Sequence, residues 1–178
     1  MFQKALRYMR CNNRKQLFYH LARNPEMLNW LDGGISLLFY TVWSQQYEIA
    51  LWMLQHGADP DLMTEGGDTP LINAAANNDL KFAMLFLDFG AEIDRASSRF
   101  ETPLGYACSY GAVDVVRLLC ERGAFVNGTE GWGNSYLRSV TWALQGTPVD
   151  PKQVEIEQIL LSHGAVIIEE EPKLQRDD

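Results

Sequence analysis

Short amphipathic segments recur along the chain, separated by glycine, proline and small polar residues. In LKFAMLFLD, residues 80–88, apolar side chains recur at spacings of three and four, which predicts a helix with one buried face. Similar segments lie before and after it. The positions expected to face the core are Leu80, Ala83, Met84 and Leu87 in this segment, Ile49, Trp52, Met53 and Leu54 before it, and Val113, Val116, Leu118 and Leu119 after it.

These segments follow a fixed period. A Gly-Ala pair ends a segment at Gly57, and the same pair recurs at one constant interval, at Gly90 and at Gly123. A fourth copy, at Gly164, comes after a longer interval, so the last unit contains an insertion. Glycine tolerates the left-handed backbone with which many helices end. The pattern therefore predicts a repeated helical unit.

A second motif keeps the same period. Thr-Pro-Leu begins at Thr69 and recurs at Thr102, and eroded copies begin at Ser36 and Ser135. A threonine before an apolar helix can cap its first turn, and proline is well suited to the first helical position. Each motif thus predicts the start of a helix.

The two motifs together resemble the ankyrin-repeat family, whose repeat has this same length and carries a Thr-Pro-Leu-His-x-Ala signature. The histidine of that signature is replaced in all four copies, by Phe39, Ile72, Gly105 and Arg138. The resemblance implies an all-α solenoid of stacked helix-turn-helix units with hairpin loops, about five units including degenerate caps. The expected units are an N-terminal cap at 1–28, repeats at 29–61, 62–94 and 95–127, and a last repeat at 128–168 with an inserted loop near 144–153; a charged tail follows at 169–178.

Charge is distributed unevenly over these units. The chain of 178 residues has a net charge of −8, but residues 1–28 hold six basic side chains against Glu26 alone. Residues 29–178 therefore carry a net charge of −13. Such a negative field favours basic partners, and we expect no binding to nucleic acid. We expect no membrane association, because no apolar stretch approaches the roughly 18 residues of a membrane span. The three cysteines lack paired spacing, and no secretory signal is recognised; both favour a cytoplasmic protein.

The candidate catalytic and metal-binding residues do not form a known pattern. His56 and His163 precede repeat glycines, where an imidazole can bond the last helical carbonyls. Cys11, Cys108 and Cys120 are expected to be buried small hydrophobic residues. The carboxylates that begin at Asp59 fail the calcium-loop pattern, because Met63 and Pro70 stand where ligands are needed. We therefore expect no enzyme activity, no cofactor and no metal.

The resemblance implies a function in binding other proteins, through hairpin tips and the exposed side of each first helix. The matching positions are rich in aromatic and acidic residues, which are common in interfaces with basic proteins. Trp43 and Trp142 could instead pack into the helix stack. The candidate partner-binding residues are Trp30, Asp32, Trp43, Met63, Glu65, Asp68, Asn77, Arg99, Glu101, Tyr110, Trp132, Asn134 and Trp142.

Two uses of such a binding module remain open. It can be an immunity or inhibitor protein that neutralises a cognate toxin through an acidic, aromatic-lined concave face. It can also be an adaptor or regulatory subunit of a larger complex, whose basic first unit contacts a second surface.

Overall fold

The chain folds into successive antiparallel helix pairs joined by hairpin loops. The computed structural model describes residues 1–128, 135–144 and 150–166, to which every structural statement below refers. A short 3-10 helix at Pro25–Asn29 and a two-stranded hairpin, β1 (Leu31–Asp32) and β2 (Ile35–Ser36), follow the first pair. The helices are α1 (Phe2–Arg10), α2 (Arg14–Ala22), α3 (Leu37–Trp43), α4 (Tyr47–Gln55), α5 (Pro70–Ala76), α6 (Leu80–Asp88), α7 (Pro103–Ser109), α8 (Val113–Glu121), α9 (Tyr136–Ala143) and α10 (Pro151–Ser162).

The pairs stack into a solenoid. The first helices α3, α5, α7 and α9 pack in one row, and the second helices α6, α8 and α10 pack in another. One hydrophobic cluster runs from Phe2 in α1 to Ala165 after α10. The N-terminal pair joins this stack partly through Phe18, whose ring lies 4.7 Å from that of Trp52. The predicted all-α repeat architecture is confirmed.

The capping predicted from the Thr-Pro-Leu motifs is also confirmed. The Thr69 hydroxyl accepts a hydrogen bond from the backbone N–H of Ile72 at 3.2 Å, which satisfies a donor that the first turn leaves unpaired. Ser36 caps α3 in the same way, with an N···O distance of 3.0 Å. The eroded motif has therefore kept its essential hydroxyl while losing the proline.

A side-chain amide or carboxylate ties each unit to the next. About once per repeat, a side chain that follows one helix pair accepts a hydrogen bond from a backbone N–H group that follows the second helix of the next pair. These side chains belong to Asn29, Asp61, Asp94 and Asn127. Hydrogen bonds of this kind stabilise the stack because each joins two neighbouring units. They run from Asp59 N to Asn29 at 2.7 Å, Glu92 N to Asp61 at 3.0 Å, Phe125 N to Asp94 at 3.0 Å and Val166 N to Asn127 at 2.8 Å.

The loss of the signature histidine in the third repeat is explained by Tyr136. This side chain is fully buried and stands where the Thr-Pro-Leu motifs have proline. A Cβ on Gly105, which replaces the histidine, would lie 3.0 Å from the Tyr136 ring. The Tyr136 hydroxyl is 2.7 Å from the Thr102 hydroxyl. Glycine at 105 therefore leaves room for the tyrosine of the following repeat.

Three residues that the sequence predicts to be buried are exposed, namely Leu80, Met84 and Cys11. Leu80 and Met84 in α6 are exposed by 39% and 41%, while Phe82, Leu85 and Phe86 are buried. The segment is apolar around most of its circumference, so spacing alone could not choose the face that meets the neighbouring helices. Cys11 is exposed in the turn after α1, whereas Cys108 and Cys120 are buried as predicted.

The last unit differs from the others in length. Its second helix, α10, has 12 residues where the equivalent helices α4, α6 and α8 have nine. It begins at Pro151, inside the range predicted for the insertion, with Asp150 as its cap. Residues 145–149 and the predicted tail lie outside the described part of the chain. Within that part, no helix is long and apolar enough to cross a membrane.

Candidate protein-binding face

The C-terminal ends of α3 and α7 expose large aromatic side chains at adjacent repeat positions. Trp43 ends α3 and is 55% exposed, with its ring edge-on to that of Phe39 at 5.2 Å. Tyr110 follows α7, is 66% exposed and stacks parallel to Tyr106, with ring centroids 6.1 Å apart. Trp43 therefore does not turn into the helix stack, and both aromatic side chains are available to a partner.

Between these two aromatic residues in the repeat order lies Asn77, at the end of α5. Its side-chain amide donates to the Asn73 backbone carbonyl at 2.7 Å and to the Asn73 side-chain oxygen at 2.9 Å. These bonds hold the amide against its own helix. Asn77 is thus an exposed polar residue of fixed orientation, at the repeat position that Ser44 and Tyr110 occupy after α3 and α7.

The hairpin tips are joined to one another by hydrogen bonds. Hairpins 1, 2 and 3 span residues 31–36, 64–69 and 97–102. The backbone N–H of Glu65 donates to the Gly34 carbonyl at 2.9 Å, and the Ser98 hydroxyl donates to the Gly66 carbonyl at 2.5 Å. A side chain at Gly67 would collide with Ser98. The tips therefore form one continuous edge, which carries Glu65 exposed to solvent.

Arg99, Tyr106 and Asp68 connect two hairpins to α7. The Arg99 guanidinium donates to the Tyr106 hydroxyl, which donates to the Asp68 carboxylate at 3.2 Å. Arg99 also lies 3.5 Å from that carboxylate. The hydrogen bond with Tyr106 raises the pKa of Arg99, and burial raises the pKa of the Tyr106 hydroxyl, which keeps it protonated as a donor.

The other candidate residues vary in their surroundings. Trp30 is 53% exposed beside hairpin 1, and Asp32 accepts a hydrogen bond from the Gln3 side chain at 2.6 Å. Met63 and Glu101 are partly buried. Trp132 and Asn134, and the side chain of Trp142, lie outside the described residues.

The acidic character of this face is weaker than the sequence indicates. Asp68 is offset by Arg99, and the Asp32 carboxylate is engaged by Gln3. Glu65 is exposed and Glu101 partly so. A composition count could not show this, because it does not tell which acids already have partners.

At the hairpin tips, sequence reasoning missed the exposed aromatic residue Phe100. Its side chain is 79% exposed at the tip of hairpin 3, and its backbone has φ +62°. The equivalent positions of hairpins 1 and 2 are Gly34 and Gly67, with φ +78° and +81°. The repeat register could have revealed Phe100, since phenylalanine stands there where these two repeats have glycine.

The tips of hairpins 1–3 and the exposed ends of α3, α5 and α7 are together called the binding face.

His56 and His163 contact backbone carbonyls at the ends of their helices. Nδ1 of His56 lies 2.7 Å from the Trp52 carbonyl, and Nδ1 of His163 lies 2.8 Å from the Ile159 carbonyl. Both are helix-end contacts, as predicted. Among the described residues, no group of three or more His, Cys, Asp and Glu side chains could hold a metal ion.

A stack of helix pairs with linked hairpin tips is a repeat solenoid. A family model described as ankyrin repeats (three copies) matches residues 38–130, about half of the chain. The chain belongs to the ankyrin-repeat family, and its repeats form a protein–protein interaction module.

Relatives in several kinds of organism share these repeats. A fowlpox virus (strain NVSL) protein named putative ankyrin repeat protein FPV014 is 29% identical over 58% of this chain and 31% of its own length. The Drosophila melanogaster transient receptor potential channel pyrexia is 34% identical over 57% of this chain and 11% of its own. Mouse ankyrin repeat and SOCS box protein 16 is 31% identical over 67% of this chain and 28% of its own. The chain thus matches a third or less of the length of each of these relatives.

Proposed function

We propose that this chain is a non-enzymatic module that binds one partner protein through the binding face. The observation that carries the proposal is the exposure of Trp43, Phe100 and Tyr110, each more than half exposed. Exposed aromatic side chains surrounded by polar residues are the usual anchors of protein interfaces. At hairpin 3 the neighbours of Phe100 in sequence are the charged residues Arg99 and Glu101.

The partner is expected to be basic on its contact surface. Residues 29–178 carry −13, and Glu65 lies exposed at the hairpin edge. Such a field accelerates the approach of a basic protein and disfavours acidic ones. An odd number of cysteines without paired spacing fits a cytoplasmic location, where thiols stay reduced.

Two uses of the bound state follow from two different observations. The aromatic binding face suits an inhibitor that covers its target, of which an immunity protein that neutralises a toxin is one kind. The basic N-terminal helix pair, opposite in charge to the repeats, favours an adaptor that contacts a second surface. A third component in the isolated complex would support the adaptor.

The test is capture of partners from the source cells with three tagged baits. These are the wild-type chain, the variant Trp43→Ala/Phe100→Ala/Tyr110→Ala, and a control, Phe89→Ala/Phe125→Ala, which removes exposed aromatic side chains beyond the ends of α6 and α8. We expect one protein bound at equal stoichiometry by the wild type and the control and lost from the triple variant. If the triple variant is folded and still captures the partner protein, the proposed binding face is wrong.

An inhibitor and an adaptor then differ in their effect on the purified partner. If the chain is an inhibitor, the partner's activity falls in proportion to added chain up to a one-to-one ratio. If it is an adaptor, the partner's activity persists and a further protein joins the complex.

A further inference from the structure

The N-terminal helix pair has a basic pocket that is separate from the binding face. The pocket lies between α1 and α2 and has a volume of about 570 Å³. Its lining comes from one side of each helix, because the residues recur at spacings of three and four. They are Lys4 and Tyr8 on α1, and Gln16, Tyr19, His20, Arg23 and Asn24 on and just after α2.

Within the described part of the chain, the cations of this helix pair have no carboxylate partner. Residues 1–28 hold six basic side chains, and their one acid, Glu26, follows the pair. The four ion pairs among the described residues all use arginines of the repeats, namely Arg95, Arg99, Arg117 and Arg122. The positive charge at the pocket is therefore not neutralised by any carboxylate that the structure describes.

Two of these cations lie over tyrosine rings that line the pocket. Nζ of Lys4 lies 6.0 Å from the ring centroid of Tyr8, and Cζ of Arg23 lies 5.0 Å from that of Tyr19. A cation over a ring face keeps N–H donors free for another acceptor. The pocket thus presents positioned donors, whereas a freely moving lysine or arginine would lose more entropy on binding.

Two other residues that line the pocket, His20 and Asn24, contact backbone carbonyls through their side chains. The Asn24 side chain donates to the His20 carbonyl at 2.7 Å, and Nε2 of His20 lies 3.3 Å from the Met1 carbonyl, which joins α2 to the start of α1. The His20 ring packs edge-on against Tyr8 at 6.1 Å. The pocket therefore depends on the two helices staying paired.

We propose that this pocket binds an acidic segment of a protein, with a carboxylate or phosphate group seated between Lys4 and Arg23. Charge-assisted hydrogen bonds to oxyanions are among the strongest that side chains make. The tyrosine rings supply apolar contact area for the side chains next to the anion. Residues 29–178, with a net charge of −13, repel such a segment and leave the helix pair as its favourable site. This site is independent of the proposed binding face.

The test is binding of a fluorescently labelled glutamate-rich peptide, and of a matched phosphoserine peptide, to the full chain at low salt. The variant Lys4→Gln/Arg23→Gln removes both pocket cations. The control Arg7→Gln/Lys15→Gln removes the same charge from exposed positions of α1 and α2 outside the pocket. We expect the pocket variant to weaken peptide binding by about tenfold or more, and the control by about twofold, since only a screened long-range contribution is lost there.

Equal weakening by both variants would overturn the proposal, because it would indicate a diffuse field without a site. No binding of either peptide, or binding only to phosphatidylserine vesicles, would also overturn it. A measurement on the wild type keeps the test valid if the pocket variant misfolds. The NMR signals of Tyr8 and Tyr19 should shift on peptide addition more than those of Tyr40 and Tyr47, and the absence of this difference would contradict the assignment.

Discussion

Phe100 holds, at the tip of hairpin 3, the left-handed backbone conformation that Gly67 holds at the tip of hairpin 2. The φ angles are +62° and +81°. The same turn closes both tips, with Phe100 N bonded to the Ser97 carbonyl at 2.9 Å and Gly67 N to the Thr64 carbonyl at 2.8 Å. A side chain in this conformation costs about 1–2 kcal/mol. Exposed strain of this kind is a feature of functional sites.

Replacing Phe100 by glycine should separate stability from binding. We expect Phe100→Gly to raise the free energy of unfolding by about 0.5–1 kcal/mol, because relief of the left-handed strain exceeds the entropy cost of glycine. Affinity for the partner should fall by about tenfold or more, as for loss of an interface anchor. Urea denaturation measures the first effect and calorimetric titration the second.

The control for this prediction is Phe125→Gly. Phe125 is also an exposed aromatic residue, at 61%, but is not among the residues of positive φ. Glycine there should lower the free energy of unfolding, since it adds freedom to the unfolded chain without relieving strain. If Phe100→Gly loses stability to the same extent, the strain argument is wrong.

The contact between neighbouring units through Asp94 can be tested by a rescue. Asp94→Ala removes the acceptor of the Phe125 N–H and should lower the free energy of unfolding by about 1 kcal/mol. Asp94→Asn should recover most of this loss, because Asn29 and Asn127 accept the equivalent bonds in other units. Urea denaturation compares the two variants with the wild type.

A matched control for Asp94 is Asp88→Ala. Asp88 forms an exposed ion pair with Arg122 at 3.0 Å, and such pairs contribute about 0–1 kcal/mol. Its loss should therefore cost less than that of Asp94. An equal cost for both alanine variants, or a failure of asparagine at 94, would show that charge rather than the hydrogen bond stabilises the stack.

Restoring the family histidine in the third repeat should destabilise the chain. In Gly105→His the new side chain would meet the buried Tyr136 ring, 3.0 Å from the added Cβ, and overpacking of this kind costs about 1–3 kcal/mol. Thermal unfolding followed by circular dichroism measures the effect. The double variant Gly105→His/Tyr136→Pro, which restores both family residues, should be more stable than Gly105→His alone. Equal stability of the two would exclude Tyr136 as the obstacle.

The three cysteines should differ in reactivity. Cys11 is exposed, whereas Cys108 and Cys120 are buried, and burial raises the pKa of the Cys120 thiol to about 11. Only the thiolate reacts with disulfide reagents. One thiol per native chain should therefore react rapidly at about pH 8, and all three after denaturation. Cys11→Ser should remove the rapid phase, and its persistence in that variant would contradict the burial of the other two.

How much of the fold the sequence predicted can be judged from particular residues. Thr69 and Thr102 were correctly predicted to be helix caps, because capping depends on a hydroxyl and a few neighbouring backbone groups. Leu80 and Met84 were placed wrongly in the core, because α6 is apolar on several sides and its buried face is chosen by the helices beside it.

The binding face was predictable to a similar degree. Trp43 and Tyr110 were found by register alone, since equivalent repeat positions occupy equivalent places in a solenoid. The pairing of Arg99 with Tyr106 and Asp68 was not, because it joins two hairpins across a repeat boundary. Phe100 was missed because exposure and a positive φ are properties of the folded tip.

The period, the caps, the helix order and the contrast in charge between the N-terminal helix pair and the repeats are all evident in the amino-acid sequence. These features depend on local chemistry and on the spacing of residues, both of which are given by the amino-acid sequence. The pairing of the carboxylates, the buried face of α6 and the pocket lined by Lys4 and Arg23 appear only in the folded chain. Those outcomes depend on contacts between residues that are distant in sequence, and such contacts exist only once the units have stacked.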